Sequence, residues 1–583
     1  MSSANLPHST PPNASQTAAP PVQSTQVLIV GAGPVGLTLA NTLGGQGVRT
    51  LLIEALPKLI DYPRAIGIDD EALRTMQGIG LADRIVPHTT PMHWMRFLTA
   101  SGRCWASIEP RTDEFGWPRR NAFIQPQADR ILFEGLSRFP QVEARFSTRF
   151  VALEQDASAV RATLEGPEGR YIVEADYMVG ADGGSSPVRG ALGLSFDGET
   201  APNQWIVIDV ENDPIGTPNI YLGSDNRRAY VSAALPHGVR RFEFMVLKGE
   251  DESHFSRPEV MREMLGRVLD RPEEAKIIRQ RIYNHNARLA SRFRVGRVLL
   301  AGDAAHIMPV WQGQGYNSGI RDAANLGWKL AMVVKGALGE ALLDTYQAER
   351  RDHAKAMIDL SVLVGKVFNP PWPVLNTLRD GLTRVLNLVP SVKRYLLEMR
   401  FKPMPRFRAG AIVPAPGHPE TSPVGKLFIQ PKVCTIAGEV KRLDDVLGPN
   451  FAILAWGANP VQYMKPAQLA MWRALGAVFV CVKPEVQLGA APDPELGFRT
   501  DPMEGVVQLG DVQGRLKDWF GAQPDSVVFL RPDRVVGATS TPLAVSETSQ
   551  ALARALGWPR AEAGSVPLAT PATAAAAGLV AAE

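Results

Sequence analysis

Three glycines at a fixed spacing, near the start of the chain, separate an apolar run from a helical stretch. The apolar run Val27–Val30 leads into Gly31, Gly33 and Gly36, and a second apolar run ends in Glu54. In a strand–helix–strand unit of this kind, the first glycine makes the tight turn, the second lets a pyrophosphate approach the backbone, and the third lets helix and strand pack closely. The phosphates then lie at the positive end of the helix, and Glu54 can accept a hydrogen bond from a ribose hydroxyl. The spacing predicts a dinucleotide site and leaves NAD and FAD both open.

Two later segments place polar residues at the ends of predicted strands. Asp182 follows a strand and begins an Asp-Gly turn, and Gly302-Asp303 follows another strand before a glycine-rich loop. A helix then begins near Gly315–Asn317. Strand ends lie at the carboxyl edge of a doubly wound sheet, where ligands bind. Asp303 could accept from a sugar-chain hydroxyl, and the helix start offers amides and a positive dipole to an electron-rich ring edge.

Two polar residues lie near these motifs. Arg64 follows the predicted ribose-binding acid and could reach the phosphates or a bound ring, although a surface arginine is an equally good interpretation. Gln125 lies at the start of a helix with Ile131 and Leu132 at helical spacing. His306 could act as a base, but its position on a strand-to-helix turn favours a structural role.

The remaining pattern predicts the elements that position these residues. A meander of three strands over 149–175 covers the first sheet. Residues 196–290 are β-rich and antiparallel, and a sheet inserted between two halves of a dinucleotide fold is expected to form the substrate-side wall. Short apolar runs at Trp94–Leu98 and Cys104–Ile108 contribute part of that wall.

The three motifs taken together identify the chain as resembling the flavin-dependent aromatic hydroxylases, single-component FAD monooxygenases similar to para-hydroxybenzoate and phenol hydroxylase. The resemblance covers about residues 25–400. It implies an α/β fold, α+β overall, in which a Rossmann-like FAD-binding domain carries an inserted antiparallel β-sheet substrate domain. It also implies these cofactor-binding residues: Gly31, Gly33, Pro34, Gly36, Glu54, Arg64, Gln125, Asp182, Gly302, Asp303, Pro309, Gly315, Tyr316 and Asn317.

The C-terminal region has the order strand, helix, strand, helix and hairpin, which resembles the thioredoxin-like tail of phenol-hydroxylase relatives. The three cysteines, Cys104, Cys434 and Cys481, include no CxxC pair, so dithiol chemistry is excluded. The domain is therefore expected to be structural or a contact within a homo-oligomer. The predicted domains are a disordered leader (1–24), an FAD-binding part (25–195, with 91–124 in the substrate wall), the substrate sheet (196–290), a second FAD-binding part (291–400), the thioredoxin-like domain (409–565) and a disordered tail (566–583).

The resemblance implies an enzyme that uses FAD, O2 and NADH or NADPH to hydroxylate a phenolic acid next to its hydroxyl group. The segment Met308–Ala323 resembles a branch of the family that acts on a meta-hydroxyphenyl ring with a short carboxylate chain. A carboxylate needs a cation in an apolar pocket, and Arg228, Arg241 and Arg281 are the candidates. A flavin oxidase or dehydrogenase on the same scaffold, and a non-catalytic flavin-binding partner protein, are the alternatives.

Composition limits the remaining possibilities. The net charge is +3, from 62 Lys and Arg against 59 Asp and Glu, and shows no nucleic-acid or membrane footprint. No apolar run reaches the ~18–20 residues of a membrane span. No metal site is predicted. Three scattered cysteines favour a reducing, cytoplasmic setting.

Overall fold

A computed structural model describes residues 22–225, 228–368, 373–414, 421–488 and 505–558. Its strands form four sheets, of eight, eight, seven and three strands. Among the described residues, no helix is long and apolar enough to cross a membrane. Most of the predicted leader and the whole predicted tail lie outside the described residues. Residues 22–24, which the sequence assigns to the leader, belong instead to the first strand.

The first part of the chain contains eleven strands and five helices. The strands are β1 (Val22–Val30), β2 (Thr50–Ile53), β3 (Gly67–Asp69), β4 (Thr89–Pro91), β5 (Met95–Thr99), β6 (Cys104–Ile108), β7 (Arg120–Phe123), β8 (Val142–Arg145), β9 (Arg149–Gln155), β10 (Val160–Gly166) and β11 (Gly169–Gly180). The helices are α1 (Pro34–Gly45), α2 (Asp70–Gly78), α3 (Ala82–Ile85), α4 (Gln125–Gly135) and α5 (Pro187–Ala191).

The described residues from 196 to 397 add eight strands and six α-helices. The strands are β12 (Phe196–Glu211), β13 (Ile220–Ser224), β14 (Tyr230–Ala234), β15 (Arg240–Met245), β16 (Lys276–Ala290), β17 (Arg294–Val295), β18 (Val298–Leu300) and β19 (His306–Ile307). The helices are α6 (Glu252–Phe255), α7 (Pro258–Leu265), α8 (Gly315–Val334), α9 (Asp344–Phe368), α10 (Pro373–Leu386) and α11 (Pro390–Leu397).

The first sheet has a parallel centre. Its order is β17-β18-β11-β1-β2-β8, and β1 runs parallel to both β2 and β11. These central strands are apolar on both faces, as a sheet covered on both sides requires. β1, β11 and β18 therefore end at the same edge, so that Gly31, Asp182 and Gly302 come together there although they are far apart in the sequence.

The second sheet is the predicted inserted sheet. Its order is β19-β16-β12-β15-β14-β13-β5-β6, antiparallel except where β13 runs parallel to β5. Successive side chains point to opposite faces. One face, with Ile206, Phe242 and Phe244, packs on α7. The other face carries Trp205 and packs with Trp311 of the loop that precedes α8; this second face is called the pocket face below.

The C-terminal part contains β20 (Lys432–Thr435), β21 (Val440–Arg442), β22 (Ala452–Trp456), β23 (Val478–Pro484), β24 (Val506–Asp511), β25 (Val527–Leu530) and β26 (Val536–Ser540), with α12 (Leu443–Leu447), α13 (Pro466–Ala474), α14 (Arg515–Gly521) and α15 (Val545–Ala555). β22, β23 and β24 are parallel, and the hairpin of β25 and β26 continues the sheet in antiparallel fashion. This arrangement confirms the thioredoxin-like prediction, which missed β20, β21, β24, α12 and α15.

The C-terminal sheet shares a core with the flavin part of the chain. Trp328 of α8 packs edge-on against Phe451, with ring centroids 5.5 Å apart, and Phe451 in turn packs on Trp472. All three belong to one buried apolar cluster. The long helix that begins at the candidate site therefore ends in the C-terminal core.

Candidate cofactor and substrate site

The glycine-rich loop between β1 and α1 has the geometry that a pyrophosphate cradle needs. Gly31 has φ +108°, and a Cβ at that position would lie 2.4 Å from the carbonyl oxygen of Ala181. A Cβ at Gly36 would lie 2.0 Å from the carbonyl oxygen of Gly31. At Gly33, by contrast, no atom lies within 4 Å of an added Cβ. Gly31 and Gly36 thus permit the close packing, and Gly33 leaves open space in front of α1, whose first residue is Pro34.

Glu54 lies beside this loop, at the end of β2. Its Oε2 accepts a hydrogen bond from the amide of Ala32 at 2.9 Å, and its Oε1 accepts from the amide of Leu56 at 2.9 Å. These two bonds fix the carboxylate next to the space in front of Gly33. A ribose placed after the pyrophosphate would meet this carboxylate.

Asp182 is held in place at the end of β11. Its Oδ2 accepts from the amide of Val188 at 3.0 Å, at the start of α5, while its buried Oδ1 has no hydrogen-bond partner among the described residues. Burial raises the pKa of this carboxyl group, against the hydrogen bonds from Ser186 and Val188. The unsatisfied oxygen is a place where a bound group could donate.

Asp303 follows β18 at the sheet edge where Gly31 and Asp182 also lie, and we call the open space in front of this edge the cleft. Gly302 has φ +63° and approaches α1 so closely that a Cβ would lie 2.7 Å from Val35. The Asp303 side chain is exposed, but the walls of the cleft displace bulk water; this desolvation raises the pKa of the carboxyl group, while His306 and Arg64 lower it. A strand end thus presents an accessible carboxylate to the cleft, as a ribityl contact requires.

His306 is a support for that turn. Its Nε2 lies 2.6 Å from Oδ2 of Asp322, which also accepts from the amide of Gly302 at 3.0 Å. Nε of Arg350 donates to the other oxygen of Asp322 at 2.8 Å. Burial raises the pKa of Asp322, but His306 and Arg350 outweigh it and bring the pKa to about 2. Sequence reasoning gave Asp322 no role, although it lies seven residues into α8, two turns from the flavin end.

The start of α8 presents amides. The loop begins at Pro309, and α8 begins at Gly315, so that the first amides of the helix have no partner within the helix. The Asn317 side chain is fully used: its Oδ1 accepts from the amide of Asp69 at 3.0 Å, and its Nδ2 donates to the carbonyl of Gly67 at 3.1 Å. The Tyr316 ring packs edge-on against another aromatic ring. At the start of α8, the backbone amides, rather than the side chains of Tyr316 and Asn317, are therefore the groups that could bind the edge of a flavin ring.

The loop that carries Arg64 is held from two sides. Oε1 of Gln125 accepts from the amide of Ala65 at 2.9 Å, and Nε2 of Gln125 donates to Oδ2 of Asp129 at 3.0 Å. From the inserted sheet, Nη1 of Arg241 donates to the carbonyl of Arg64 at 2.9 Å. The Arg64 side chain is exposed. Gln125 thus positions the loop through the backbone.

Buried acids at the start of α2 hold α8 in place. Arg321 pairs with Asp69 and with Glu71, whose Oε2 lies 2.8 Å from Nε of Arg321. Lys402 lies 3.1 Å from Asp69 and 3.5 Å from Glu71. The three consecutive acids Asp69–Glu71 therefore bind cations of the chain itself. No local sequence pattern marks these partners, which come from segments hundreds of residues apart.

The three candidate substrate arginines have different surroundings. Arg228 is buried and pairs with Glu250, while Arg241 pairs with Asp209 at 2.8 Å on the pocket face. These carboxylates argue against an anchoring role for the two arginines, because each charge is already compensated. Arg281 also lies on the pocket face, is exposed, and donates to the Tyr62 hydroxyl at 3.1 Å. Among the described residues, Arg281 makes no ion pair with a carboxylate.

An aromatic cluster on the pocket face lies against the loop that precedes α8. Trp311 packs at right angles on Trp205 and on His285, with ring centroids 5.1 Å and 4.9 Å apart, and tilted on Phe368 at 5.1 Å. Tyr283 packs on His285 at 5.2 Å. Trp311 thus links the pocket face to the start of α8. Sequence analysis did not select these residues, because an aromatic in a strand is more often part of a core.

The fold and the converging strand ends define an FAD-binding flavoprotein. A model of the FAD binding domain family matches residues 24–361, and a model described as HcaD C-terminal domain matches residues 425–555. The chain therefore belongs to the FAD-binding domain family of flavoproteins, and it is an FAD-dependent hydroxylase.

Named relatives support this assignment. The chain is 58% identical over 541 residues, 93% of this chain and 96% of the relative, to a 3-(3-hydroxy-phenyl)propionate/3-hydroxycinnamic acid hydroxylase of Escherichia coli O81 (strain ED1a). It is 57% identical over the same length to the protein of that name from Escherichia coli strain K12. Among solved structures, an anhydrotetracycline hydroxylase from Streptomyces rimosus is similar with a TM-score of 0.71 and 26% identity, over 92% of this chain and 100% of that one. A complex of aklavinone-11 hydroxylase with FAD and aklavinone gives a TM-score of 0.72 and 25% identity, over 91% and 99% of the two chains.

Proposed function

We propose that this enzyme uses NADH or NADPH and O2 to hydroxylate 3-(3-hydroxyphenyl)propionate to 3-(2,3-dihydroxyphenyl)propionate, in the breakdown of aromatic compounds. The names of the relatives support this substrate. The observation that carries the proposal is the position of Trp311, which packs on the pocket face only four residues before α8 begins. A ring bound against this cluster would lie next to the flavin end of the helix.

We also propose the cofactor contacts that the sequence predicts. FAD in an extended form fits the open space in front of Gly33, the carboxylates of Glu54 and Asp303, and the first amides of α8, which begins at Gly315. When bound, FAD accepts hydride from the nicotinamide and activates O2 to an oxygen that attacks electron-rich rings. The task of the chain is to orient the ring, to exclude water and to manage the phenolic proton.

The carboxylate chain of the substrate is assigned to Arg281. Arg281 and Tyr283 lie two residues apart on one face of β16, which is about 7 Å along a strand and suits a phenol with a short side chain. A cytoplasmic location, a homo-oligomer formed through the C-terminal domain, and the domain boundaries stay predictions. A flavin oxidase or dehydrogenase would consume O2 or another acceptor without inserting oxygen, and a non-catalytic flavin-binding protein would not turn over NADH.

Arg281→Met is expected to lower kcat/KM for 3-(3-hydroxyphenyl)propionate by about 10- to 100-fold, mostly through KM. The reason is the loss of a hydrogen bond to a charged group, which is worth about 1.5–3 kcal/mol. Steady-state NADH oxidation at varied substrate concentration measures the effect. The comparison variant is Arg288→Met on the same strand, whose guanidinium binds Thr200 and a backbone carbonyl.

The uncharged compound 3-propylphenol shows whether Arg281 acts on the carboxylate of the substrate, because it has a similar shape and no carboxylate. It should be a poor substrate for the wild-type enzyme, and its kcat/KM should be nearly unaffected by Arg281→Met. An equal loss for both compounds would mean that Arg281 does not bind the carboxylate.

A further inference from the structure

A chain of hydrogen bonds on the pocket face starts in the aromatic cluster, at His285, and leads from it to Glu243. Nε2 of His285 lies 3.2 Å from the Tyr283 hydroxyl, and the Tyr283 hydroxyl donates to Oε2 of Glu243 at 2.7 Å. His285 is 4% exposed and Glu243 is 7% exposed. Two buried groups and the half-buried Tyr283 thus form one hydrogen-bonded line that begins next to Trp311.

The direction of these bonds fixes the tautomer of the imidazole ring. Because the Tyr283 hydroxyl gives its proton to Glu243, it accepts one from Nε2 of His285. Burial lowers the pKa of His285 to about 4, so the ring is neutral at pH 7 and its Nδ1 is an acceptor. A hydroxyl group bound beside the ring would find a proton acceptor there.

We propose that His285, Tyr283 and Glu243 form a proton relay that removes the phenolic proton of the bound substrate, with Glu243 as the final acceptor. The assignment rests on the proposed function, which places the phenol ring against Trp311. It gives the buried acid of the pocket face a role in turnover that fold stability alone would not require.

The proton transfers balance without any redox step. The phenolic O–H bond breaks and an N–H bond forms at Nδ1 of His285, while the Nε2 proton moves to the Tyr283 oxygen. The original hydroxyl proton of Tyr283 moves to the Glu243 carboxylate. The products are a bound phenolate, a neutral histidine of the other tautomer, an unchanged tyrosine and a neutral Glu243. A phenolate ring is more electron-rich than a phenol ring and is the better target for an electrophilic oxygen.

Burial and the charges around Glu243 together raise its pKa above that of a free glutamate. Three groups act on the Glu243 carboxyl group: Arg241 on its own strand, Asp209 on β12 and Tyr283 on β16. On β14, the residue paired with Glu243 is the apolar Val231. Burial raises the pKa of Glu243 and Asp209 adds to this, while Arg241 and Tyr283 lower it. A general base is most effective when its pKa approaches the working pH. Since only ionised Glu243 can accept, hydroxylation should fall as the pH drops through this raised pKa.

The test measures the ionisation of the bound substrate directly, without NADH, by near-ultraviolet difference titration of holoenzyme with 3-(3-hydroxyphenyl)propionate. In the wild type the bound phenol should ionise at least tenfold more readily than the free phenol, whose pKa is about 10. In Glu243→Gln, which keeps the shape and an acceptor for Tyr283, that advantage should be lost. Tyr283→Phe should lose it too, because the relay is interrupted. The hydroxylation rate should fall about 100-fold in both variants, with FAD content unchanged.

The control is Glu211→Gln, the same change at the end of β12, where the carboxylate pairs with Lys276 away from the pocket. It should titrate and turn over as the wild type does. If the wild type hydroxylates the compound and Glu243→Gln and Tyr283→Phe leave the ionisation of the bound phenol unchanged, the relay is wrong. If the wild-type enzyme produces no catechol from the compound, the proposed function itself is wrong.

Discussion

Glu349→Gln is expected to lower the free energy of unfolding by about 3–5 kcal/mol, because it leaves the buried Lys329 without its counter-charge. Oε1 and Oε2 of Glu349 lie 2.7 Å and 2.8 Å from the two terminal nitrogens of Arg531, and Oε2 lies 2.7 Å from Nζ of Lys329. All three side chains are fully buried. Arg531 retains the counter-charge of Asp533, but Lys329 would have no carboxylate in hydrogen-bond contact among the described residues and would keep its bond to the neutral Asn325.

The loss should also depend on pH. Burial raises the pKa of Glu349, but Arg531 and Lys329 dominate and lower it to about 2, below the ~4.3 of an unfolded chain. Its contribution to stability is therefore complete above the unfolded value and disappears as the pH falls through the folded value. The difference between wild type and Glu349→Gln should shrink in acid.

Thermal unfolding of the FAD-saturated proteins measures this effect. The matched control is Glu340→Gln, whose half-exposed carboxylate also pairs with arginines, Arg294 and Arg297. An exposed pair contributes only about 0–1 kcal/mol. Equal destabilisation by the two substitutions would show that the buried network contributes no more than a surface pair.

Asp303→Ala is expected to weaken FAD binding by about 10- to 100-fold. The carboxylate is the accessible acceptor at the end of β18, and a lost hydrogen bond to a charged group costs about 1.5–3 kcal/mol. Flavin fluorescence during titration of apoenzyme gives the dissociation constant. Asp303→Asn, which keeps an acceptor, should lose less.

Asp83→Ala, a surface change on α3, is the control for general effects of removing a carboxylate and should bind FAD as the wild type does. An Asp303→Ala protein that is purified with full flavin content and unchanged affinity would contradict the assignment of Asp303.

The parts of the site that could be predicted are those set by local backbone constraints. Gly36 is recognisable because only glycine allows its close approach to the Gly31 carbonyl five residues earlier, and Gly31 because its φ of +108° is a conformation that favours glycine. Asp303 is recognisable because a strand, an acid and a glycine-rich loop follow one another in the sequence. These features depend on neighbours in the chain.

The parts that could not be predicted depend on tertiary pairing. Glu243 and Tyr283 lie forty residues apart on strands that are not adjacent in the sheet, and strand propensity carries no information on which side chains meet. β5 and β6 are predicted as part of the substrate wall, but their place at the far edge of the inserted sheet, more than a hundred residues before most of its strands, is not. β11 is predicted as two strands, one over 170–175 and one that ends before Asp182; it is a single strand because β10 and β1 pair along it without a shift of register.

The thiols of the C-terminal domain are unsuited to redox chemistry, both by their spacing in the sequence and by their burial in the structure. Cys434 and Cys481 are buried and free, and burial raises the pKa of the Cys481 thiol, which opposes thiolate formation. Its contacts with α8 and α9 instead make the domain a support for the helix that begins at the flavin site.

The most direct test of the hydroxylase assignment is the origin of the new oxygen atom. The purified holoenzyme is incubated with NADH, 3-(3-hydroxyphenyl)propionate and isotope-labelled O2, and the product is analysed by mass spectrometry. The account predicts a catechol, 3-(2,3-dihydroxyphenyl)propionate, that carries one labelled oxygen atom, in an amount close to the NADH consumed. Consumption of NADH and O2 with hydrogen peroxide as the only product, or a catechol without label, would contradict it.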